Sequence, residues 1–192
     1  MIKNGKKSVL IFGLTGFFAS NLIKKLENFS VIGVSRHKQP HLDGVKKVFK
    51  YNDFLDIKNH APFDFVLDFS SKISVEEFVR SPLKTFTENV EIPLRHLSLL
   101  REINFDGHYI YITSDRAIAP NKNQDILNNI KIKNDPYGAS KLFSELLIHY
   151  SLGLSETKTT MLRFPNLYGV GQKSGQLLPT IFNKISEGTL NI

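Results

Sequence analysis

The sequence predicts an α/β fold with a doubly wound parallel sheet, on the strength of three observations. Short apolar runs of strand length alternate with amphipathic, helix-length segments along the chain. The first apolar run passes through a glycine turn directly into a helical pattern. Small and polar residues stand at the ends of several predicted strands, and ligands gather at the carboxyl edge of such sheets.

The chain opens with a strand, a glycine turn and a helix. Residues 9–12 are apolar and suit a strand buried on both faces. Gly13 lets the chain turn sharply, Gly16 lets the backbone approach a pyrophosphate, and the small Ala19 lets helix and strand pack closely. The predicted cofactor contacts here are Gly13, Thr15, Gly16, Phe17 and Phe18.

Residues 30–34 form the second predicted strand, and Ser35 and Arg36 follow it. In dinucleotide folds an acidic residue at this place binds the ribose hydroxyls of NAD, whereas an arginine accommodates the 2′-phosphate of NADP. No Asp or Glu stands here. Ser35 and Arg36 are therefore predicted cofactor contacts that favour NADP, and a solvated basic loop is the alternative interpretation.

Residues 45–51 and 63–69 are the third and fourth predicted strands. The fourth strand ends at Phe69, and the small residues Ser70 and Ser71 follow it. Small side chains at this edge let a cofactor lie close to the backbone, so these three residues are predicted cofactor contacts.

A helix is predicted to begin at Ser81 and Pro82, with Ser81 as its N-cap. Pro93 lies inside the helical pattern and cannot donate a hydrogen bond to the carbonyl of Asn89. That carbonyl either marks a kink relieved by water or holds a catalytic water. The helix is predicted to continue through the apolar positions Phe86, Val90, Leu94, Leu97 and Leu100.

The fifth predicted strand, residues 109–112, delivers Ser114 and Asp115 to the carboxyl edge. Asp135 and Pro136 then open a helix in which Tyr137 and Lys141 are one turn apart. The positive helix end and the lysine charge both favour a tyrosinate, so we expect a lowered pKa at the phenol. The same helix is predicted to carry Leu142, Leu146 and Tyr150 and to end near Gly153.

A sixth strand over residues 159–164 and a helix over residues 177–186 complete the pattern. The 192 residues predict one domain, since no repeat or low-complexity linker divides them. The chain has no cysteine, and its six histidines lack metal-ligand spacing, so we expect neither disulfides nor a metal site.

The net charge of +7 is spread along the chain, and the phenylalanines fall in apolar runs typical of a core. This pattern argues against a nucleic-acid groove and favours an anionic small ligand. The first apolar run is too short for a signal peptide or a membrane span, so we expect a cytoplasmic protein without membrane association.

In order along the chain, these features resemble the extended short-chain dehydrogenase/reductase family, in particular its NAD(P)-dependent sugar-nucleotide epimerases and dehydratases. The resemblance rests on the Gly13, Gly16 and Ala19 loop, Asp53 after the third strand, Asn89 and Val90 in the long helix, Ser114, Tyr137 with Lys141, and Leu-Arg-Phe-Pro-Asn-Leu-Tyr-Gly at residues 162–169. It implies a Rossmann-like fold and a nucleotide-sugar substrate, and it leaves a homodimer open.

The resemblance also implies roles for individual residues. Tyr137 becomes the general acid/base, Lys141 its partner and a ribose ligand, and Ser114 the donor to the reacting oxygen. Asn89 completes this set, and Asp115 takes the place of an acid in the related dehydratases. Further residues implied to contact the cofactor are Asp53, Phe54, Lys141 and Phe164, with Asn166 on the substrate side.

Two departures from the family pattern limit what the resemblance implies. Arg116 stands where the dehydratases have a lysine, and a guanidinium is always protonated, so it cannot shuttle a proton. Family members also continue well beyond residue 192. We therefore expect residues 1–192 to be the NAD(P)-binding domain, with residues 165–192 beginning a substrate-binding region that is otherwise missing or truncated.

Three activities fit these features. The first is epimerisation or dehydration of a sugar nucleotide by hydride transfer, with a Ser-Tyr-Lys acid/base site. The second is reduction of a keto-sugar or simple ketone with NADP(H). The third is a catalytically silent module that binds NADP(H).

Overall fold

The computed structural model describes residues 5–36, 41–73, 75–117, 135–153, 155, 157–172 and 175–189, without the side chains of Phe54, Leu55 and Val75. The strands are β1 (Lys7–Phe12), β2 (Phe29–Ser35), β3 (Val45–Lys50), β4 (Phe65–Asp68), β5 (His108–Ser114) and β6 (Lys158–Phe164). The helices are α1 (Phe17–Ile23), α2 (Phe54–Lys58), α3 (Val75–Arg80), α4 (Pro82–Glu102), α5 (Pro136–Leu152) and α6 (Leu177–Ser186), with a 3₁₀ turn over Asp115–Ala117. Residues 118–120 follow the Asp115–Arg116 segment that was compared with the dehydratases, and they lie outside the described part.

All six strands are parallel, in the order β3-β2-β1-β4-β5-β6. This order confirms the predicted Rossmann-like, doubly wound sheet. The order reverses between β1 and β4, which pair from Val9 with Phe65 to Phe12 with Asp68. In such sheets the crevice beyond the carboxyl ends of these two strands is where ligands bind.

Both faces of the sheet are buried, as a doubly wound fold requires. Leu10 and Phe12 of β1 belong to one core cluster, which includes residues of α4 and α5. Val9 and Ile11 belong to a second cluster with residues of α1. Alternate residues of one strand therefore serve two cores, which explains why the strand reads as a continuous apolar run.

Helix α4 continues through the apolar positions as predicted, but it buries only some of them. Leu97 and Leu100 are buried, whereas Leu94 is 41% exposed. The buried positions earlier in the helix are instead Thr85, Asn89, Pro93 and His96. An apolar pattern could not reveal this face, because its polar side chains are buried with hydrogen-bond partners inside the domain.

Helix α5 carries Leu142, Leu146 and Tyr150 as predicted; Leu142 is buried, whereas Leu146 and Tyr150 are exposed. These two residues add to exposed apolar side chains on α4 and α5, namely Leu83, Leu94 and Phe143. A homodimer stays a prediction, and these side chains are where an interface would be sought. None of the helices in the described ranges is long and apolar enough to span a membrane.

Gly13 has the backbone geometry that its predicted task requires. Its φ is 75°, a left-handed conformation that suits glycine. A Cβ atom at Gly13 would lie 2.9 Å from the carbonyl carbon of Phe69. The turn after β1 and the residue after β4 are therefore in backbone contact, and neither can move aside for a side chain.

We expect Gly13→Ala to destabilise the fold by about 2–4 kcal/mol, because it adds a steric clash to the roughly 1–2 kcal/mol cost of a left-handed alanine. Gly44→Ala is the matched control, since Gly44 has φ 81° but its nearest contact would be a side-chain atom at 3.8 Å. Urea unfolding of both variants measures the difference. Equal losses would show that the contact with Phe69 carries no cost.

Candidate functional site

Three phenylalanines connect the loops at the carboxyl edge of the sheet. The ring of Phe18, at the start of α1, lies 5.0 Å from the Phe69 ring and 5.5 Å from the Phe164 ring, measured between centroids. These are ordinary separations for packed aromatic rings. Three predicted cofactor contacts, from the ends of β1, β4 and β6, are thus brought together.

The glycine turn between β1 and α1 is held by backbone hydrogen bonds. Leu14 N donates to Val34 O at 3.1 Å, and Gly16 N donates to Gly13 O at 2.9 Å. Thr15 and Gly16 are exposed at the tip of the turn. The Phe17 carbonyl accepts from the side chains of Ser20 and Asn21, at 2.9 and 3.0 Å.

The ends of β2 and β3 provide the remaining predicted cofactor contacts. Ser35 is 4% exposed and is the last residue of β2, whereas Arg36 is exposed beyond it. Asp53 occupies the N-cap position of α2, but its side chain makes no capping hydrogen bond. Phe54 begins α2, and its side chain lies outside the described part.

Asn89 fastens the loop after β4 to the helical layer. Its Oδ1 accepts from Lys72 N at 2.7 Å and from Ser71 Oγ at 3.3 Å. Its Nδ2 donates to Lys72 O and to Ser140 Oγ, both at 3.1 Å. The side chain is therefore committed to holding the Ser71–Lys72 backbone and α5 in place.

The Asn89 carbonyl has a hydrogen-bond donor from a neighbouring helix. It accepts from Ser144 Oγ at 3.1 Å, and Ser144 Oγ also lies 2.9 Å from Ser140 O. Pro93 frees the carbonyl from its helical donor as predicted, and α5 supplies this other donor. A carbonyl oxygen can accept two hydrogen bonds, so the water-relieved kink and the catalytic water both stay predictions.

Ser114 and Tyr137 meet at the end of β5. The Ser114 hydroxyl lies close enough to the Tyr137 phenol to lower the phenol pKa. Ser114 Oγ also lies 3.2 Å from Asp115 Oδ1 and accepts from Arg116 N at 3.2 Å. Tyr137 is in the first turn of α5, whose N-cap Asp135 accepts from Gly138 N at 3.0 Å.

The expectation of a lowered phenol pKa is wrong for this structure. Burial raises the pKa of Tyr137, while the nearby Ser114 hydroxyl and the charge of Arg116 oppose the rise. Arg116 is also paired with Asp135, with Nε 2.6 Å from Oδ2. The prediction considered how the helix end and Lys141 would lower the phenol pKa. It left out the removal of the phenol from water, which raises the pKa and is the larger effect here.

Lys141 points toward β5. Its Nζ donates to Ile112 O at 3.0 Å and lies 3.3 Å from Tyr111 Oη. The residue is 2% exposed, and burial lowers the pKa of the amine to about 8. The negative charges of Asp68 and Glu145 oppose this shift.

Glu145 is a buried carboxylate that the motif analysis did not single out. Arg163 holds it with two hydrogen bonds, Nε to Oε1 at 2.9 Å and Nη2 to Oε2 at 2.5 Å. Thr113 Oγ1 donates to Oε1 at 2.7 Å. The helical spacing Tyr137, Lys141, Glu145 was visible in the sequence and would have placed the three on one face.

Asp68 is a second buried carboxylate that the sequence analysis passed over. It is 0% exposed at the end of β4. Its Oδ2 lies 2.5 Å from His96 Nδ1 and accepts from Tyr109 Oη at 2.7 Å, and its Oδ1 accepts from Ser70 N at 3.0 Å. An acidic residue inside the apolar run Phe-Val-Leu-Asp-Phe was the available signal.

Beyond β6 the chain runs across the surface near α1. Asn166 is exposed there. Asn21 Nδ2 donates to Val170 O at 3.2 Å, so α1 and this segment are connected. A shallow cavity of about 330 Å³ lies between them, with Phe17 and Tyr168 among its lining residues.

The arrangement combines groups that can hold and move a proton with a backbone turn suited to phosphate. Tyr137 can donate a proton as a phenol, and Ser114 can hydrogen-bond an oxygen beside it. Lys141 supplies a buried amino group whose pKa, about 8, lies close to neutral pH. Asp115 is exposed next to Ser114. These groups surround the carboxyl end of β5, one strand from the switch point.

The chain is similar to known proteins in both sequence and fold. The chain is 29% identical over 183 residues to a UDP-glucose 4-epimerase from Mycoplasma genitalium, covering 85% of this chain and 54% of that protein. The chain therefore spans about half the length of that relative.

Among solved structures, an epimerase from Methanothermobacter thermautotrophicus superimposes with a TM-score of 0.77 at 23% identity, covering 95% of this chain and 59% of that chain. A UDP-glucuronic acid 4-epimerase from Bacillus cereus, in complex with UDP-glucuronic acid and NAD, gives a TM-score of 0.76 at 18% identity, covering 94% of this chain and 63% of that chain. The sequence model of the NAD dependent epimerase/dehydratase family matches residues 9–192, and the chain belongs to that family.

Proposed function

We propose that the chain binds a nicotinamide dinucleotide at the carboxyl edge of its sheet and serves in the epimerisation or dehydration of a sugar nucleotide. The observation that carries the proposal is that Ser114, at the end of β5, lies beside Tyr137 in the first turn of α5, with Lys141 one helical turn farther along the same helix. The family membership and the relatives that act on or bind UDP-sugars support it.

The residues at the switch point fit a dinucleotide. The turn at Gly13 to Gly16 exposes Thr15, and the first backbone N–H groups of a following helix have no intrahelical acceptor, so they can bind phosphate. Ser70 and Ser71 present small, half-buried side chains on the neighbouring loop. We assign Lys141 as the donor to a ribose hydroxyl.

A bound nicotinamide ring would supply the hydride acceptor and donor. The chain would supply the proton chemistry: Tyr137 exchanges a proton with the reacting hydroxyl, and Ser114 donates to the same oxygen. In this structure Tyr137 is a phenol, because burial raises its pKa, and it is thus set to give a proton. To accept one at neutral pH it needs additional positive charge nearby, and Lys141 is the residue we assign to that task.

We propose that residues 165–192 begin the substrate-binding part of the protein. Asn166 is exposed just beyond β6, at the edge where the sugar would lie, and it is our proposed substrate contact. The chain spans 54–63% of the length of the relatives described above. A complete sugar pocket would then require further segments or a second chain.

We expect residues 1–192 to bind NADPH or NADH and to turn over nucleotide-sugars poorly. A substrate pocket that is not fully closed positions the sugar poorly. Positioning lowers the activation barrier by about 7–11 kcal/mol in favourable cases, and this contribution would be lost. Calorimetric titration with both cofactors, followed by assays against UDP-, GDP- and dTDP-sugars, tests this. Absence of dinucleotide binding would refute the proposed function, whereas robust turnover would show that the pocket is complete. Reduction of a ketone without epimerisation would favour the reductase alternative.

Tyr137→Phe is expected to leave cofactor affinity nearly unchanged and to lower turnover by roughly 10²–10⁴-fold, since it removes only the transferable proton. The measurement is kcat in a form of the protein that turns over substrate. Tyr150→Phe on the same helix is the matched control, because Tyr150 is 73% exposed. Near-normal turnover of Tyr137→Phe would contradict the assignment of Tyr137 as the acid/base.

Lys141→Ala should impair both cofactor binding and turnover.

We propose NADP as the preferred cofactor, because Arg36 is exposed at the end of β2 with no acidic residue beside it in the sequence. Arg36→Ala should then reduce NADPH affinity by roughly tenfold and leave NADH affinity nearly constant, since a charged hydrogen bond is lost. Arg101→Ala, at an exposed position of α4, controls for loss of a positive charge. Equal wild-type affinities for the two cofactors would contradict the preference.

A further inference from the structure

Asp68 is fully buried directly beneath the proposed cofactor edge. Its carboxylate accepts hydrogen bonds from Tyr109 and from the backbone of Ser70, and it lies 2.5 Å from the His96 ring. Burial alone would raise the pKa of Asp68, but His96 and these hydrogen bonds outweigh burial and lower it. The structure therefore maintains an anion at a place without solvent.

The strand register brings this anion next to the residue that holds Lys141. Asp68 on β4 is paired with Tyr111 on β5. Lys141 Nζ lies 3.3 Å from the Tyr111 hydroxyl and 4.8 Å from the centre of the Tyr111 ring. Asp68 and Lys141 thus approach Tyr111 from the neighbouring strand and from the covering helix.

We propose that Asp68 is a positioning residue, whose buried negative charge keeps Lys141 an ammonium ion while its Oδ1 fixes Ser70 in the adjoining loop. The consequence for the cofactor rests on the proposed function, in which Lys141 donates to the ribose. The effect on Lys141 itself does not depend on it.

Other charged or titratable groups around Lys141 do not replace Asp68. Glu145 lies one turn along α5, but Arg163 of β6 already holds it with two hydrogen bonds. Burial raises the pKa of each tyrosine nearby, so these tyrosines supply no negative charge at neutral pH; they are Tyr109 and Tyr111 of β5 and Tyr137 of α5. His96 of α4 contacts Asp68 rather than Lys141. Asp68 is accordingly the larger of the two influences that hold the Lys141 pKa up, ahead of Glu145.

The physical need for such an anion is plain from the burial of the amine. An ammonium ion without solvent is costly unless a negative charge compensates it. The Lys141 pKa, already lowered to about 8, lies close to neutral pH. Loss of one nearby charge would therefore make the neutral amine the main form under ordinary conditions.

The direct test is to titrate the Lys141 side chain by lysine-selective ¹³C NMR, with the signal assigned from Lys141→Met. We expect Asp68→Asn to shift the titration to lower pH. Two controls should titrate near wild type: Asp106→Asn removes an exposed charge, and Tyr109→Phe removes a hydrogen bond to Asp68 but keeps its charge. An unchanged titration in Asp68→Asn, or an equal shift in Tyr109→Phe, would overturn the proposal.

NADPH binding provides a second readout. Asp68→Asn should weaken NADPH binding roughly tenfold at about pH 7.5, where wild-type Lys141 is still mostly charged, and much less at about pH 6, where both forms are charged. An equal loss at both pH values would mean that Asp68 is merely structural. If wild type binds no dinucleotide, the proposed function fails, and the NMR titration still decides the role of Asp68.

If Asp68→Asn folds poorly, the double variant Asp68→Asn/Lys141→Met decides the question. Removing the uncompensated amine should restore stability, so the two substitutions should be strongly non-additive in urea unfolding. Additive losses would show that Asp68 and Lys141 are not coupled.

Discussion

A carboxylate with no exposed surface stands where the two halves of the sheet join. Asp68 ends β4 beside β1, and its three partners come from α4, β5 and the loop that follows it. Removal of the carboxylate would take this acceptor from the buried His96 and Tyr109 side chains, which is costly in the absence of water. Together with Asn89, Asp68 therefore helps to fix the loop, α4 and β5 relative to one another.

Helix α4 and helix α5 meet through polar rather than apolar contacts near the site. Pro93 releases the Asn89 carbonyl, and Ser144 from α5 bonds to it. The Asn89 side chain reaches both the loop after β4 and Ser140 of α5. Hydrogen bonds are directional, so this interface sets the position of α5, and with it Lys141, more narrowly than apolar packing would.

Much of the fold was predictable because its signals are local. Three signals depend only on a few neighbouring residues: the glycine turn at Gly13 and the helix starts at Ser81–Pro82 and Asp135–Pro136. The structure has the turn and both helix starts where they were expected. The predicted strands agree with the observed ones to within about two residues at each end.

The charged interior was not predictable by the same means. Asp68 and Glu145 are buried because of partners far along the chain, namely His96, Tyr109 and Arg163. The direction of the Tyr137 pKa was missed for a related reason, since desolvation depends on the packing of the whole site. Local spacing identifies which residues approach one another, but burial determines their protonation.

The strand order has a consequence for how the chain folds. β1 pairs with β4 across more than fifty residues, as in the contact of Val9 with Phe65, whereas Asp68, His96 and Tyr109 all lie within one β4-α4-β5 unit. The entropic cost of closing a loop grows only slowly with its length. The separation of 41 residues between Asp68 and Tyr109 and that of 56 between Val9 and Phe65 therefore differ in closure cost by only about 0.3 kcal/mol. Loop length alone gives the polar cluster beneath the site only a slight lead over the central pair of strands.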